Sequence, residues 1–110
     1  MKDPKKVRQG RRNRRRGADL QRFAVSKAKE YKLEAFNRDR GGAQHEQGDV
    51  EIEGKFYGCK RRKRVPTWVL PEKEEHGVIF RQDRGVPYIA IPYDVFCFFI
   101  KMIKLNQDVL

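Results

Sequence analysis

The residues of this chain best suited to chemistry lie in one short segment. Asp49, Glu51 and Glu53 alternate with Val50 and Ile52, and Lys60 follows a few residues later. Strand side chains point to opposite faces in turn, so a strand here carries its carboxylates on one face and its apolar groups on the other. If Gly54-Lys55 form a two-residue turn, the segment folds into a hairpin. Asp49 then lies opposite Lys60, and Glu51 opposite Gly58. Arg61, Arg62, Lys63 and Arg64 continue the chain directly after Lys60. Acidic groups beside one lysine, in a chain of net charge +11, suggest a metal site that hydrolyses a phosphate backbone. The plainer reading is a solvated strand face with Lys60 as a cross-strand ion pair.

Composition narrows the partners. At 110 residues the chain holds at most one ordinary domain. Its 38% hydrophobic content is low and its 37% charged content high. Lys2, Lys5, Lys6, Arg8, Arg11, Arg12, Arg14, Arg15 and Arg16 are opposed in residues 1–17 by Asp3 alone. Such a block repels itself and offers little to bury, so residues 1–17 read as a flexible basic arm and 18–110 as the folded domain. A surplus of this size favours a polyanion, with nucleic acid first and an anionic membrane second; a basic surface without a specific partner is the alternative. Cys59 and Cys97 form neither a disulfide framework nor a zinc pattern, and His45 and His76 are isolated. A reducing interior follows, with no signal peptide. The apolar run from Tyr93 to Leu105 is too short to span a bilayer and is broken by Asp94, Lys101 and Lys104.

Several elements must position these groups. Leu20, Phe23, Ala24, Ala28 and Tyr31 share one helical face, which predicts a helix over 18–32. Ala35 to Arg38 reads as a short strand, followed by a polar loop from Gly41-Gly42 to Gln47. Strands over 49–53 and 56–61 make the hairpin. Pro66 ends that run or forces it to an edge, and 67–76 is either a short helix or a loop. Strands over 78–81 and 87–91 flank an Asp83-Arg84-Gly85 turn, and Pro92 opens a final helix over 92–105. That helix is apolar nearly all round, which requires cover on more than one side, by the sheet and a second copy or by a monomer's own core. The order predicts an α/β fold with a mixed central sheet flanked by helices.

With this order on the page, the chain resembles the nucleases of the PD-(D/E)xK superfamily, and within it the small Holliday junction resolvases of archaeal and phage type. Gly17-Ala18-Asp19-Leu20-Gln21-Arg22 looks like the start of their first helix. Gly48-Asp49 looks like their metal-binding aspartate, and Gly58-Cys59-Lys60 stands where they carry Glu-x-Lys. Phe80 to Tyr88 resembles the later strand-turn-strand of the phage-type members. The resemblance covers about residues 15–100 and implies a restriction-endonuclease-like fold. It also implies a homodimer, four-way DNA junctions as substrate, and a place in the cytoplasm, at the nucleoid or in a phage-infected host.

The resemblance further implies a Mg²⁺ or Mn²⁺ site. Asp49 and the carbonyl of Cys59 would be ligands, and Lys60 would act on the attacking water. Two positions depart from the pattern. Gly58 replaces a glutamate, and Gln21 stands where the first helix usually carries an acid. Losing about 3 kcal/mol of transition-state stabilisation would cost roughly a hundredfold in rate, so the expected enzyme is an impaired metal-dependent endodeoxyribonuclease. Glu51, about 5 Å from position 58 if that register holds, could stand in as a migrated ligand, or it could simply be solvated. DNA-binding residues would be Arg11, Arg12, Arg14, Arg15 and Arg16 of the arm, Arg38 and Arg40, and Arg61, Arg62, Lys63 and Arg64. Trp68 could stack on an opened base or serve a core or interface. A non-catalytic branched-DNA-binding module, or a partner-binding protein using the final helix, are the competing functions.

Overall fold

The computed structural model describes residues 18–38 and 49–109. The basic arm with Arg11, Arg12, Arg14, Arg15 and Arg16, together with Arg40, the Gly41-Gly42 loop and His45, lies outside the described residues. The described residues form a small mixed α/β fold with two α-helices and two antiparallel sheets. The chain divides into two compact units, Met1–Arg61 and Arg62–Leu110.

In the first unit, helix α1 spans residues 18–30. Gln21, Ala24 and Ala28 are its buried positions, three and four residues apart as one helical face requires. The helix ends in a paired C-terminal motif. Leu33 N–H donates to the Ala28 carbonyl at 3.1 Å and Lys32 N–H to the Lys29 carbonyl at 2.9 Å. Lys32 takes φ 64°, the left-handed conformation that this motif usually assigns to glycine. Leu33 is 3% exposed, so the reversal is anchored in the core.

Three strands follow: β1 (Ala35–Asn37), β2 (Val50–Ile52) and β3 (Lys55–Tyr57). They pair antiparallel in chain order. Ala35, Val50 and Ile52 are buried and complete the core with α1 and Leu33. The opposite face carries Phe36, Glu51 and Phe56, which stand in register across the three strands.

The hairpin register differs from the expected one. Val50 pairs with Tyr57, Glu51 with Phe56 and Ile52 with Lys55. The turn is therefore Glu53-Gly54, not Gly54-Lys55. Both of its residues have positive φ, 49° and 78°, as the hairpin turn that matches strand twist demands. Glu53 is held there by Glu34: its N–H donates to the Glu34 carbonyl, and its Oε1 accepts the Glu34 N–H, each at 2.8 Å. This double clamp offsets the cost of a left-handed glutamate and selects the register.

In the second unit, Thr67–Val69 forms one 3₁₀ turn after Pro66, which resolves the ambiguity of that stretch. Strands β4 (Val78–Phe80) and β5 (Tyr88–Ala90) make an antiparallel hairpin. Gly77 is required by close approach, because a Cβ there would meet the Ala90 carbonyl at 2.8 Å. Helix α2 (Tyr93–Val109) starts where Pro92 accepts the N–H groups of Val95 and Phe96, and it runs longer than expected. Cys97 is fully buried, whereas Phe98, Phe99, Met102, Ile103 and Leu105 are exposed. The reading of α2 as a helix buried all round in the chain's own core is thereby corrected. The expected single mixed sheet is also corrected among the described strands. All their pairings are antiparallel and fall in two separate sheets, because every described pairing joins strands adjacent in the chain.

Candidate functional site

β2 begins at a corner built on Asp49. Its N–H donates to the Tyr57 carbonyl at 2.9 Å, and its carbonyl accepts the Arg38 N–H at 2.9 Å. Because Tyr57 already pairs with Val50, two residues of one strand address a single residue of the next, which bends the strand as a bulge does. The Asp49 carboxylate then reaches past the end of β3, where Oδ2 accepts the Cys59 N–H at 2.7 Å. A short bond from an ionised acceptor is the stronger kind of hydrogen bond. It ties the Gly58-Cys59-Lys60 segment to the start of β2 after ladder pairing has stopped.

The corner brings together some of the expected site residues and separates others. Asp49 stands against Cys59, with Gly58 and Lys60 on either side in the chain. Lys60 does not face Asp49 as a strand partner, because β3 stops at Tyr57. Glu51 lies opposite Phe56, not Gly58, so the pairing that would have brought its carboxylate to position 58 is not formed. Gln21 is 8% exposed on α1. Position 58 itself is open, since a Cβ built there meets nothing within 4 Å.

Electrostatics adds one consequence. Burial pushes the Cys59 thiol pKa up, and the Asp49 charge pushes it further in the same direction. The side chain therefore stays a neutral thiol near neutral pH, a poor nucleophile and a poor soft-metal ligand. Burial also raises the Tyr57 hydroxyl. Mg²⁺ wants several hard oxygen donors. Among the described residues no three His, Cys, Asp or Glu side chains gather as a metal-ligand group. The corner supplies the Asp49 carboxylate and backbone, and Gly58 brings no side chain, so the described residues by themselves do not make up the expected donor set.

From Gly58 to Pro66 the chain has no regular secondary structure, and Lys60, Arg61, Arg62, Lys63 and Arg64 are all exposed. The basic run is thus a coil between the last strand of one unit and the first turn of the next, not the strand continuation expected. Arg38 lies over the Phe56 ring, 4.1 Å from its centroid, on the face that carries Phe36 and Glu51.

The second unit holds a feature that sequence reasoning weighed only through Trp68. Trp68, Phe80 and Tyr88 form an aromatic cluster. Trp68 meets Phe80 edge-on at 5.3 Å, and Phe80 stacks with Tyr88 at 6.0 Å. Phe80 and Tyr88 are cross-strand partners in the β4–β5 hairpin. Their alignment was legible only from the register, which depends on the length of the loop between them.

No family model, no curated protein and no solved structure matches this chain. Among the described residues no helix is long and apolar enough to cross a membrane.

Proposed function

We propose that this chain binds branched DNA as a junction-resolvase-like protein of restriction-endonuclease-like type, with a hydrolytic site left incomplete by Gly58 and Gln21. The observation that carries the reading is the Asp49 corner. The one carboxylate that the resemblance assigns to metal is hydrogen-bonded to the backbone of the segment standing for Glu-x-Lys. The exposed run from Lys60 to Arg64 leaves that corner directly. Arginine and lysine on extended chain suit phosphate contacts, which position a protein on DNA without reading its sequence. A second copy covering the exposed apolar side of α2 would make the two-fold dimer that paired nicks in opposing strands need.

The test uses an end-labelled four-way junction with Mg²⁺ or Mn²⁺, comparing the parent chain with G58E and with G58E/Q21E. A Cβ at position 58 meets nothing within 4 Å, so the substitution begins in open space. Gln21 is buried, so a glutamate there needs a cation or a hydrogen-bond donor beside it. Junction binding by all three and symmetric nicks from a restored form is the expected result. Cleavage by the parent chain itself would point to a substitute carboxylate such as Glu51. If junction and plain duplex bind equally weakly and nothing cuts, the reading fails. In the binding assay, neutralising Lys63 and Arg64 together should lower the slope of log affinity against log salt by about two, roughly one per phosphate contact.

A further inference from the structure

We infer that the Trp68–Phe80–Tyr88 groove of the second unit is a stacking site for an unpaired nucleobase; this deepens the nucleic-acid reading above and rests on it. The groove is an open hollow of about 400 Å³, with Arg81 and Val86 also in its wall. Trp68 and Tyr88 are 60% and 62% exposed, while Phe80 beneath them is half-buried. Large aromatic rings presented to solvent at the mouth of a concave site are unusual for a core and suited to a flat ligand.

Ring geometry says where the base lies. Successive bases stack about 3.4 Å apart, so a base between two rings needs roughly 7 Å. Phe80 and Tyr88 are 6.0 Å apart and 27° from parallel, too close to admit one. Trp68 stands at 64° to Phe80. The base therefore lies on the free face of Trp68 or Tyr88, in the angle the two walls make over Phe80. Such stacking is tolerant of sequence, because every base has a π-face.

Charge selects a nucleotide over other flat or proline-rich ligands. Arg81 lines the groove. Arg62, Lys63 and Arg64 belong to the same unit, are exposed, and precede Trp68 by four to six residues. The four residues from Arg64 to Trp68 span at most about 14 Å, so Arg64 lies within reach of phosphates flanking a base held on Trp68. An opened base with its phosphates satisfies both the aromatic surface and the cations; an uncharged peptide satisfies only the first.

Trp68 is the chain's one tryptophan, so its emission reports the groove in the full-length protein. The probes are a short single-stranded oligodeoxythymidylate and an abasic oligomer of the same length. The inference expects quenching of Trp68 by the first and little change with the second, although both bind. Y88A should weaken the base-bearing oligomer about ten-fold and leave the abasic one unchanged, with W68F retaining most of the affinity. Equal affinity for both oligomers without quenching overturns the stacking site while leaving phosphate binding intact. Failure of both to bind overturns the nucleic-acid reading itself. Stronger quenching by a proline-rich peptide overturns the assignment in favour of a peptide groove. Emission that changes with protein concentration before any DNA is added, abolished by Y88A, overturns it in favour of a contact between copies.

Discussion

β2 and β4 are each three residues long, each pairs antiparallel in a hairpin, and each carries β-branched residues, yet they do opposite things. In β2, Val50 and Ile52 are 1% and 2% exposed. In the second hairpin, Ile79 and its cross-strand partner Ile89 are 78% and 60% exposed. The first hairpin gains a third strand and a core shared with α1, so its apolar face is covered. Among the described residues the second gains no third strand, and a two-stranded hairpin in water is marginal on its own. Strand formation and strand burial are therefore separate outcomes. The covered hairpin is a scaffold that fixes the Asp49 corner, and the uncovered one leaves aromatic and apolar surface exposed.

The sharpest way to break this contrast is to put a charge on each hairpin. V50D or I52D buries an unpaired carboxylate and should cost about 3–5 kcal/mol, enough to unfold the first unit in a urea titration. I79D and I89D should change stability by no more than about 0.5 kcal/mol. Loss of stability from I79D equal to that from V50D would mean that the second hairpin is also covered. A smaller effect tests the corner. D49A removes the acceptor for the Cys59 N–H and should cost about 1–2 kcal/mol, while D49N keeps an oxygen acceptor and should cost less. Equal melting curves for the two variants would show that this hydrogen bond does not hold the chain after β3.

The Cys59 thiol offers a pH readout of the same corner. Its pKa is raised by burial and then by Asp49. Alkylation of the native protein should therefore have a midpoint above that of an ordinary thiol, and D49N should move it down part of the way. The stability linked to Cys59 is present below the unfolded-state pKa and is lost as pH rises through the higher folded value. The fully buried Cys97 should stay unreactive until unfolding, and C59S identifies which signal is which. The smallest effect is expected at the end of α1. K32G relieves a left-handed lysine and should raise the denaturation midpoint by up to about 1 kcal/mol in stability. A decrease would mean that the lysine stem contributes packing worth more than the strain.

Much of the local structure was legible in the residues. The spacing of Leu20, Phe23, Ala24, Ala28 and Tyr31 marks a helix, although the face it buries is that of Gln21, Ala24 and Ala28 and leaves Phe23 exposed, and Pro92 marks the start of α2. The alternation of Val50 and Ile52 with acids marks a strand with one buried face. What misled was the turn. Gly54 is an obvious turn residue, but it can occupy either position of a two-residue loop, and one step of difference moves every cross-strand partner. Glu34 decides the matter by clamping Glu53, and no local pattern announces a contact made nineteen residues away.

The same division runs through the whole protein. Charge, the basic run, the absence of a glutamate at position 58 and the two long helices follow from the sequence alone, because they depend on residue type and on a period of 3.6 residues. Which residues meet depends on tertiary contacts. The Asp49 carboxylate finds the Cys59 N–H because β2 starts, at a bend, beside the end of β3. Trp68 finds Phe80 because a single turn after Pro66 brings it to β4. Those meetings depend on chain reversals, whose geometry is fixed by a few backbone torsions and by distant partners, not by the composition of the segments they join.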